Sequence, residues 1–527
     1  MTNENQWGKR LCVAFLAVYA LLFAFNSFTR TREFDDGDTM NFIDVARHVA
    51  TGQGVTQSTL GFNQPHFDAD DAIPTPLTHQ PPLYPLLIAG VSQTGLSITD
   101  SALLISVFSY AFVLLAGYRL VLLLFGEREA FGALLLLALY APLRDFSHSA
   151  FSDPPGLAIL FTAFWLLARY AAEPEKRARL AFLAGSAAGI AVATRYALAP
   201  LVVIGALFVF TRATNRMRDA VFFLMAPGVI GVLVVLRNLN ILHGSVLPHY
   251  LHSRTGHLQN TLDALATLVS EYADGIPMSV QAALVAAVVL IALWLAQRRG
   301  QLRSTLTTVW LRGAGPALLC TFGIVYTVFL IIQRAHSYID PIGPRYMLPG
   351  SVVFVILFAV FVVRATGINL GRLVAAGSVI GLLLIANEVR TTIITPVYSA
   401  QRKVDASERL TWVQKNSTQD DLIIGQDSVD IPFYLGRTVA VSYSPFPFTE
   451  VLPYDKMLHL CQRFKPLYAR VLLVIPLHPT PKERPETNWT LRLGPFIEAA
   501  NFGRFNDYPA ISPLAVLKDG RVFQVTC

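Results

Sequence analysis

The sequence predicts a mainly α-helical polytopic membrane bundle of about eleven transmembrane helices with a small C-terminal extracytoplasmic α/β domain. Three observations predict it. Of the 527 residues, 53% are hydrophobic and only 15% charged, whereas about a quarter of an ordinary soluble domain is charged. Apolar runs recur at lengths suited to crossing a bilayer, which takes about 20 helical residues. After residue 389 the pattern turns to short apolar runs bounded by turn residues. Such a composition excludes a cytosolic enzyme, a nucleic-acid binder and a disulfide-stapled secreted module.

The predicted spans are 11 to 28, 102 to 125, 130 to 144, 154 to 170, 180 to 194, 197 to 211, 219 to 237, 278 to 297, 313 to 332, 346 to 364 and 372 to 388. With Lys9 and Arg10 in the cytoplasm, the alternate short loops carry Arg128, Lys176, Arg177, Arg179, Arg212, Arg216, Arg218, Arg298, Arg299, Arg303, Arg364 and Arg372. That distribution satisfies the positive-inside rule, so topology rather than a polyanionic partner accounts for the net charge of +7. The chain is therefore expected in the inner (plasma) membrane, multi-pass, with its N-terminus cytoplasmic. Residues 1–389 form the transmembrane catalytic domain in this reading, and 390–527 form the soluble domain on the periplasmic or extracellular side.

Four longer segments fall outside: 29–101, 238–277, 333–345 and everything after 389. In the first, MNFIDVARHVA at 40 to 50 reads as an amphipathic helix, lying on the membrane surface or packed against the membrane domain. PPLYPLLIAG at 81 to 90 is too short for a crossing and reads as an interfacial or re-entrant helix. In the tail, SERLTWVQKN at 407 to 416 suits a helix. LIIG at 422 to 425, TVAVSY at 438 to 443 and RVLLVIP at 470 to 476 suit buried strands, and an Asp-Gly turn divides the apolar arms of 515 to 525. Cys12 and Cys320 fall within spans, while Cys461 and Cys527 share the outer domain, where an oxidising compartment permits a disulfide between them.

The acidic cluster Asp35, Asp36, Asp38 follows the first span directly. Adjacent carboxylates repel, and one of them is suited to act as a general base toward an alcohol; a solvated acidic loop accounts for the same residues. Asp153, in SDPP at the start of the fourth span, suits either an acid at the same level or an N-cap of its helix. Arg195, Arg237 and Arg345 sit at outer helix ends, against the positive-inside trend. Three such exceptions in one leaflet suggest a site for an anionic headgroup, since guanidinium forks match phosphate; pairing with outer carboxylates is the alternative. His79, His243 and His249 match no compact zinc signature, so no metal site is expected. No Gly-rich phosphate loop, nucleophile elbow or HExxH helix occurs.

In order along the chain stand a D-x-D motif (Asp36, Asp38), F-x-x-x-A-R (Phe42, Ala46, Arg47), G-x-G (Gly52, Gly54), QPPLY at 80 to 84, S-D-P, T-R (Thr194, Arg195), R-N with a following H-G (Arg237, Asn238, His243, Gly244) and P-R-Y-x-L-P from Pro344. This series resembles the GT-C superfamily of integral-membrane glycosyltransferases, in the branch of protein mannosyltransferases and the lipid A aminoarabinose transferase. The resemblance implies a GT-C bundle whose first-loop aspartate is the catalytic base. Asp38 matches that position, with Asp36 the neighbouring alternative and Asp153 the second-loop acid. Arg195, Arg237 and Arg345 match the arginines that contact the donor phosphate. Many relatives have Lys before Pro-Pro-Leu-Tyr, where this chain has His79 and Gln80, so any first-loop contact to the donor would pass through these two.

The resemblance further implies a polyprenyl-phosphate-linked sugar donor, a glycan, lipid or protein acceptor, and inverting transfer to an acceptor hydroxyl on the outer face. No cofactor is required; a divalent cation would assist the leaving phosphate. The competing expectations are a lipid-linked sugar transporter or flippase, which predicts polar groups in broken midplane helices and a repeat, and a polymerase or ligase using a diphosphate-linked donor.

Overall fold

The computed structural model describes residues 3–30, 34, 37–58, 74–78, 80–212, 215–241, 261–262, 314–336, 342–425, 430–437, 439–441, 461–476 and 510–527. Asp35, Asp36, His79, His243, His249 and the predicted span 278 to 297 lie outside them. Two compact units form, one from the described residues of 1–32, 103–236 and 253–396, the other from those of 33–102, 237–252 and 397–527. The second unit thus contains the described residues of the first long loop together with those after 396.

The first unit is helical. Its elements are α1 (Asn3–Thr29), α4 (Ile98–Phe125), α5 (Glu127–Leu139), α6 (Ala141–His148), α7 (Asp153–Ala172), α8 (Arg177–Thr194), α9 (Pro200–Arg212), α10 (Arg216–Ile241), α11 (Ala314–His336), α12 (Pro344–Thr366) and α13 (Leu370–Ile394). The described residues of the other predicted spans fall on these helices, except that 130 to 144 is divided between α5 and α6 and 197 to 211 begins in a short turn before α9. Six of them are long and apolar enough to cross a membrane by length and composition, or seven if α5 and α6 count as one bent span; these counts cover the described residues. Packing pairs α1 with α13, α7 with α8, α5 with α12 and α11 with α12. Phe164, Phe322 and Tyr326 fill the core, with ring centroids 5.1 Å and 5.4 Å apart in succession.

Two prolines shape this bundle. The span predicted at 130 to 144 is broken, with a 53° bend between α5 and α6. Pro142 has no N–H to offer the Ala138 carbonyl, and Tyr140 takes an extended backbone ahead of it. The Tyr110 hydroxyl donates to that carbonyl instead, at 3.3 Å. Within α10, Pro227 likewise frees the carbonyl of Phe223. Gly185 of α8 packs against it so closely that a Cβ there would lie 1.8 Å from the oxygen. Polar groups also tie α1 to α13: Asn26 donates to the Glu388 carboxylate at 2.7 Å and accepts from the Thr392 hydroxyl at 2.8 Å. Each buried polar atom in such a setting is costly unless paired.

The second unit contains α2 (Gly37–Ala50), β1 (Thr56–Gln57), β2 (Thr75–Pro76), α3 (Leu83–Ser92), α14 (Ala400–Ala406), α15 (Glu408–Asn416), β3 (Asp421–Gly425), α16 (Asp430–Leu435), β4 (Val439–Val441), β5 (Arg470–Pro476), β6 (Ile511–Val516) and β7 (Gly520–Val525). The strand order is β4-β3-β5-β7-β6, with β4, β3 and β5 parallel and β7 and β6 antiparallel. Continuous apolar runs occupy the interior strands, as a parallel core demands. Asp519 precedes Gly520 in the β6–β7 turn and accepts from the Ser407 hydroxyl and the Arg409 backbone, fixing the start of α15. Cys461 and Cys527 are joined as a disulfide, their Cα atoms 5.5 Å apart. Residues 39 to 46 of α2 are all buried, including Asp44. The first two turns of the amphipathic segment are therefore packed on both faces.

Burial raises the pKa of Asp421, but Arg470 at 2.8 Å and the Thr418 backbone N–H at 2.7 Å outweigh it and hold the carboxyl below its usual range. A depressed folded pKa stabilises above the unfolded value of about 3.9 and ceases to do so as pH falls through the lower folded value. Asp421→Asn should cost about 2 kcal/mol at pH 7. Thermal resistance of the sheet to proteolysis in the detergent-solubilised chain should show that loss, and the gap to wild type should close as pH falls below about 4.

Candidate active site

In the mixed unit, Asp38 stands in the first turn of α2, where the helix N-terminus favours a carboxylate. Its Oδ1 accepts a 2.7 Å hydrogen bond from Nε2 of Gln80, and Oε1 of Gln80 accepts from Nδ2 of Asn41 at 3.0 Å. Gln80 stands three residues before α3, which packs on α2 through Phe42 and Tyr84, rings edge-on at 5.1 Å. Farther along α2, Asp44 accepts from the backbone N–H and hydroxyl of Ser58 at 2.7 and 2.8 Å. The two ring nitrogens of His48 meet the hydroxyls of Thr56 and Ser58 at 2.9 and 3.0 Å. These contacts fold the loop back over its own helix. Arg237 donates to the carbonyl of Leu77 at 2.5 Å and reaches that of Val55 at 3.5 Å, bracing the same loop.

In the helical unit, Asp153 opens α7 with a fully buried side chain. It is not the N-cap. That position belongs to Ser152, and no side chain caps the helix. The reason is local: Pro154 and Pro155 lack the N–H groups a cap would bind. The carboxylate turns instead to two arginines, accepting from Nη1 of Arg195 at 2.5 Å and Nε of Arg345 at 3.3 Å, both on Oδ2. Oδ1 is buried and meets no donor among the described residues. Arg195 follows α8 in an extended conformation that breaks the chain before α9, and Arg345 follows Pro344 at the start of α12. Aromatic faces support both cations: Arg345 lies 4.1 Å from the Phe151 ring centroid and Arg195 5.7 Å from that of Tyr346.

Two guanidinium groups thus converge on one carboxylate, and their planar forks match the geometry of a phosphate as well. Among the described residues no cluster of three or more His, Cys, Asp or Glu is arranged to hold a metal ion. At Asp153 the arginines already supply the countercharge that a divalent cation would bring. Thus Arg195 and Arg345 are brought to Asp153, and Gln80 to Asp38, while Asp36 and His79 lie outside the described residues. Asn41 and Phe151 were not singled out by the sequence. Asn41 had a signal, standing one turn after Asp38 on the same helical face; Phe151 had only its nearness to Asp153.

The family described as dolichyl-phosphate-mannose-protein mannosyltransferase matches residues 79–240. No curated protein sequence matches the chain. Among solved structures, ArnT from Cupriavidus metallidurans bound to undecaprenyl phosphate is similar with a TM-score of 0.58 and 15% identity, covering 97% of each chain. Its apo state gives 0.57 and 14% over the same shares. The archaeal oligosaccharyltransferase AglB from Archaeoglobus fulgidus, in complex with an inhibitory peptide and a dolichol-phosphate, gives 0.52 and 11%, covering 90% of this chain and 70% of that one. The chain thus has an ArnT-like fold over nearly its whole length, and residues 79–240 match the mannosyltransferase family.

Proposed function

We propose that this enzyme moves a sugar from a polyprenyl-phosphate donor to an acceptor hydroxyl on the outer face of the inner membrane, with inversion at the anomeric carbon. The observation that carries the reading is the Asp153 group, a buried cationic assembly suited to a phosphate monoester at the end of a membrane helix. Undecaprenyl phosphate in the ArnT structure supports the donor class. The topology that goes with this reading has eleven crossings, a cytoplasmic N-terminus and the C-terminal domain outside, where the Cys461–Cys527 disulfide would persist.

In this mechanism Asp38 takes the proton from the acceptor hydroxyl as its oxygen attacks the anomeric carbon. The bond from that carbon to the phosphate oxygen breaks, and polyprenyl monophosphate leaves with the electron pair. Arg345 and Arg195 stabilise the charge gathering on the phosphate. Because the leaving group is stable as a monoester, one displacement suffices. The acceptor is an envelope glycan, a lipid or a protein hydroxyl. A ligase using a diphosphate-linked donor is separated by its product, which would be polyprenyl diphosphate.

Asp38→Asn should reduce release of polyprenyl monophosphate by about 100-fold or more without altering membrane insertion. Mass spectrometry of the lipid products after incubation with envelope lipid extract measures it, and full activity would move the base elsewhere. Arg345→Glu should raise KM for the donor at least about tenfold; an unchanged KM would remove this residue from the phosphate. Lys518→Cys, at an exposed position of the α/β domain, should react with a membrane-impermeant maleimide in intact cells, and labelling only after lysis would reverse the topology.

A further inference from the structure

Asp38 and Asp153 are both carboxylates at the start of helices, yet different partners hold them. Asp153 bears two guanidinium groups on one oxygen. Asp38 receives the side-chain amide of Gln80. That amide is buried, with Gln80 8% and Asn41 5% exposed. An ionised carboxylate only accepts, so Gln80 must turn its NH2 toward Asp38 and its oxygen toward the NH2 of Asn41. The orientation is set from both ends by residues one helical turn apart on α2. Among the described residues of α2, the other titratable groups have partners of their own: Asp44 with Ser58, His48 with Thr56 and Ser58, Arg47 with the carbonyls of Pro432 and Phe433.

We propose that Gln80 is a positioning residue for the catalytic base: its amide, locked by Asn41, fixes the rotation of the Asp38 carboxylate through a neutral hydrogen bond. The inference rests on the transferase reading with Asp38 as base. An amide donor holds one carboxylate oxygen in place without adding charge of its own. A general base works only when aimed within hydrogen-bond reach, and loss of aim lowers the chemical step and leaves donor binding intact.

The test uses the purified full-length chain with a polyprenyl-phosphate-sugar fraction and an acceptor extract from the native envelope, reading release of polyprenyl monophosphate. Gln80→Leu should lower kcat about 10- to 100-fold with KM for the donor within about twofold of wild type. Asn41→Leu should lower kcat in the same way but less. In the near-isosteric Gln80→Glu variant a second carboxylate raises the pKa of Asp38, so the rising limb of kcat against pH moves to higher pH. In Gln80→Lys a cation lowers that pKa and the limb moves to lower pH. Should the leucine variant misfold, these opposed shifts carry the test. A raised KM with unchanged kcat in Gln80→Leu would make Gln80 a donor contact and overturn the proposal, as would superimposable pH profiles. No release by wild type would overturn the transferase reading and the inference with it, whereas release by wild type, loss in Asp38→Asn and indifferent Gln80 variants would overturn the inference alone.

Discussion

A carboxylate removed from water must be met by charge, and the beginning of α7 is organised around that demand. Asp153 has a fully buried side chain, and two arginines from distant parts of the sequence converge on one of its oxygens. Removing one partner from a buried pair costs about 3–5 kcal/mol because the other charge remains. The start of α7, the break between α8 and α9, and the entry to α12 are therefore fixed with respect to one another. Among the described residues no donor meets the other oxygen, Oδ1, so the two arginines hold the carboxylate from one side.

The helices that carry this group bend where prolines release carbonyls, and each release is met by a particular neighbour. Tyr110 donates to the carbonyl that Pro142 cannot serve. At Phe223, released by Pro227, the absence of a side chain on Gly185 lets the next helix approach. The Tyr110 hydroxyl satisfies its carbonyl in an apolar bundle, where an unsatisfied one would cost several kcal/mol, whereas Gly185 only makes room at Phe223. That close approach also explains why small residues dominate α8: a larger side chain at Gly185 would force α8 and α10 apart and disturb the turn that presents Arg195.

Hydropathy made the helices of the first unit legible, because crossing a bilayer imposes length and apolarity on each segment separately. The strands of the C-terminal sheet were legible for a related reason, since buried runs such as Leu422 to Gly425 and the Asp519–Gly520 turn are local signals. What depended on distant partners was not. The grouping of Arg195 and Arg345 was foreshadowed by their placement against the charge rule, but their shared carboxylate was not uniquely indicated. Asp153 is not the cap expected of it: the cap position lies one residue earlier, at Ser152, whose two candidate donors are the prolines. The bond between Gln80 and Asp38 spans 42 residues and follows no periodicity, so only the fold of the loop reveals it. The same holds for the compact grouping of residues 33–102 with the C-terminal domain.

That grouping bears on how Asp38 is held. Gln80 secures α2 near its N-terminus at Asp38, while toward its other end Arg47 donates to the carbonyls of Pro432 and Phe433 and lies 5.2 Å from the Phe433 ring. Phe34, just before α2, packs on the same ring and on Tyr398. The short helix α16 that offers these contacts is itself anchored by the ion pair of Asp430 with Arg409, on α15. One helix thus carries the carboxylate at its start and the attachment to the α/β domain near its end. Because a helix transmits displacement as a nearly rigid body over fewer than four turns, a shift of α16 moves α2 and alters the aim of Asp38. If Asp38 is the base as proposed, the C-terminal domain acts on the chemistry through the position of α2.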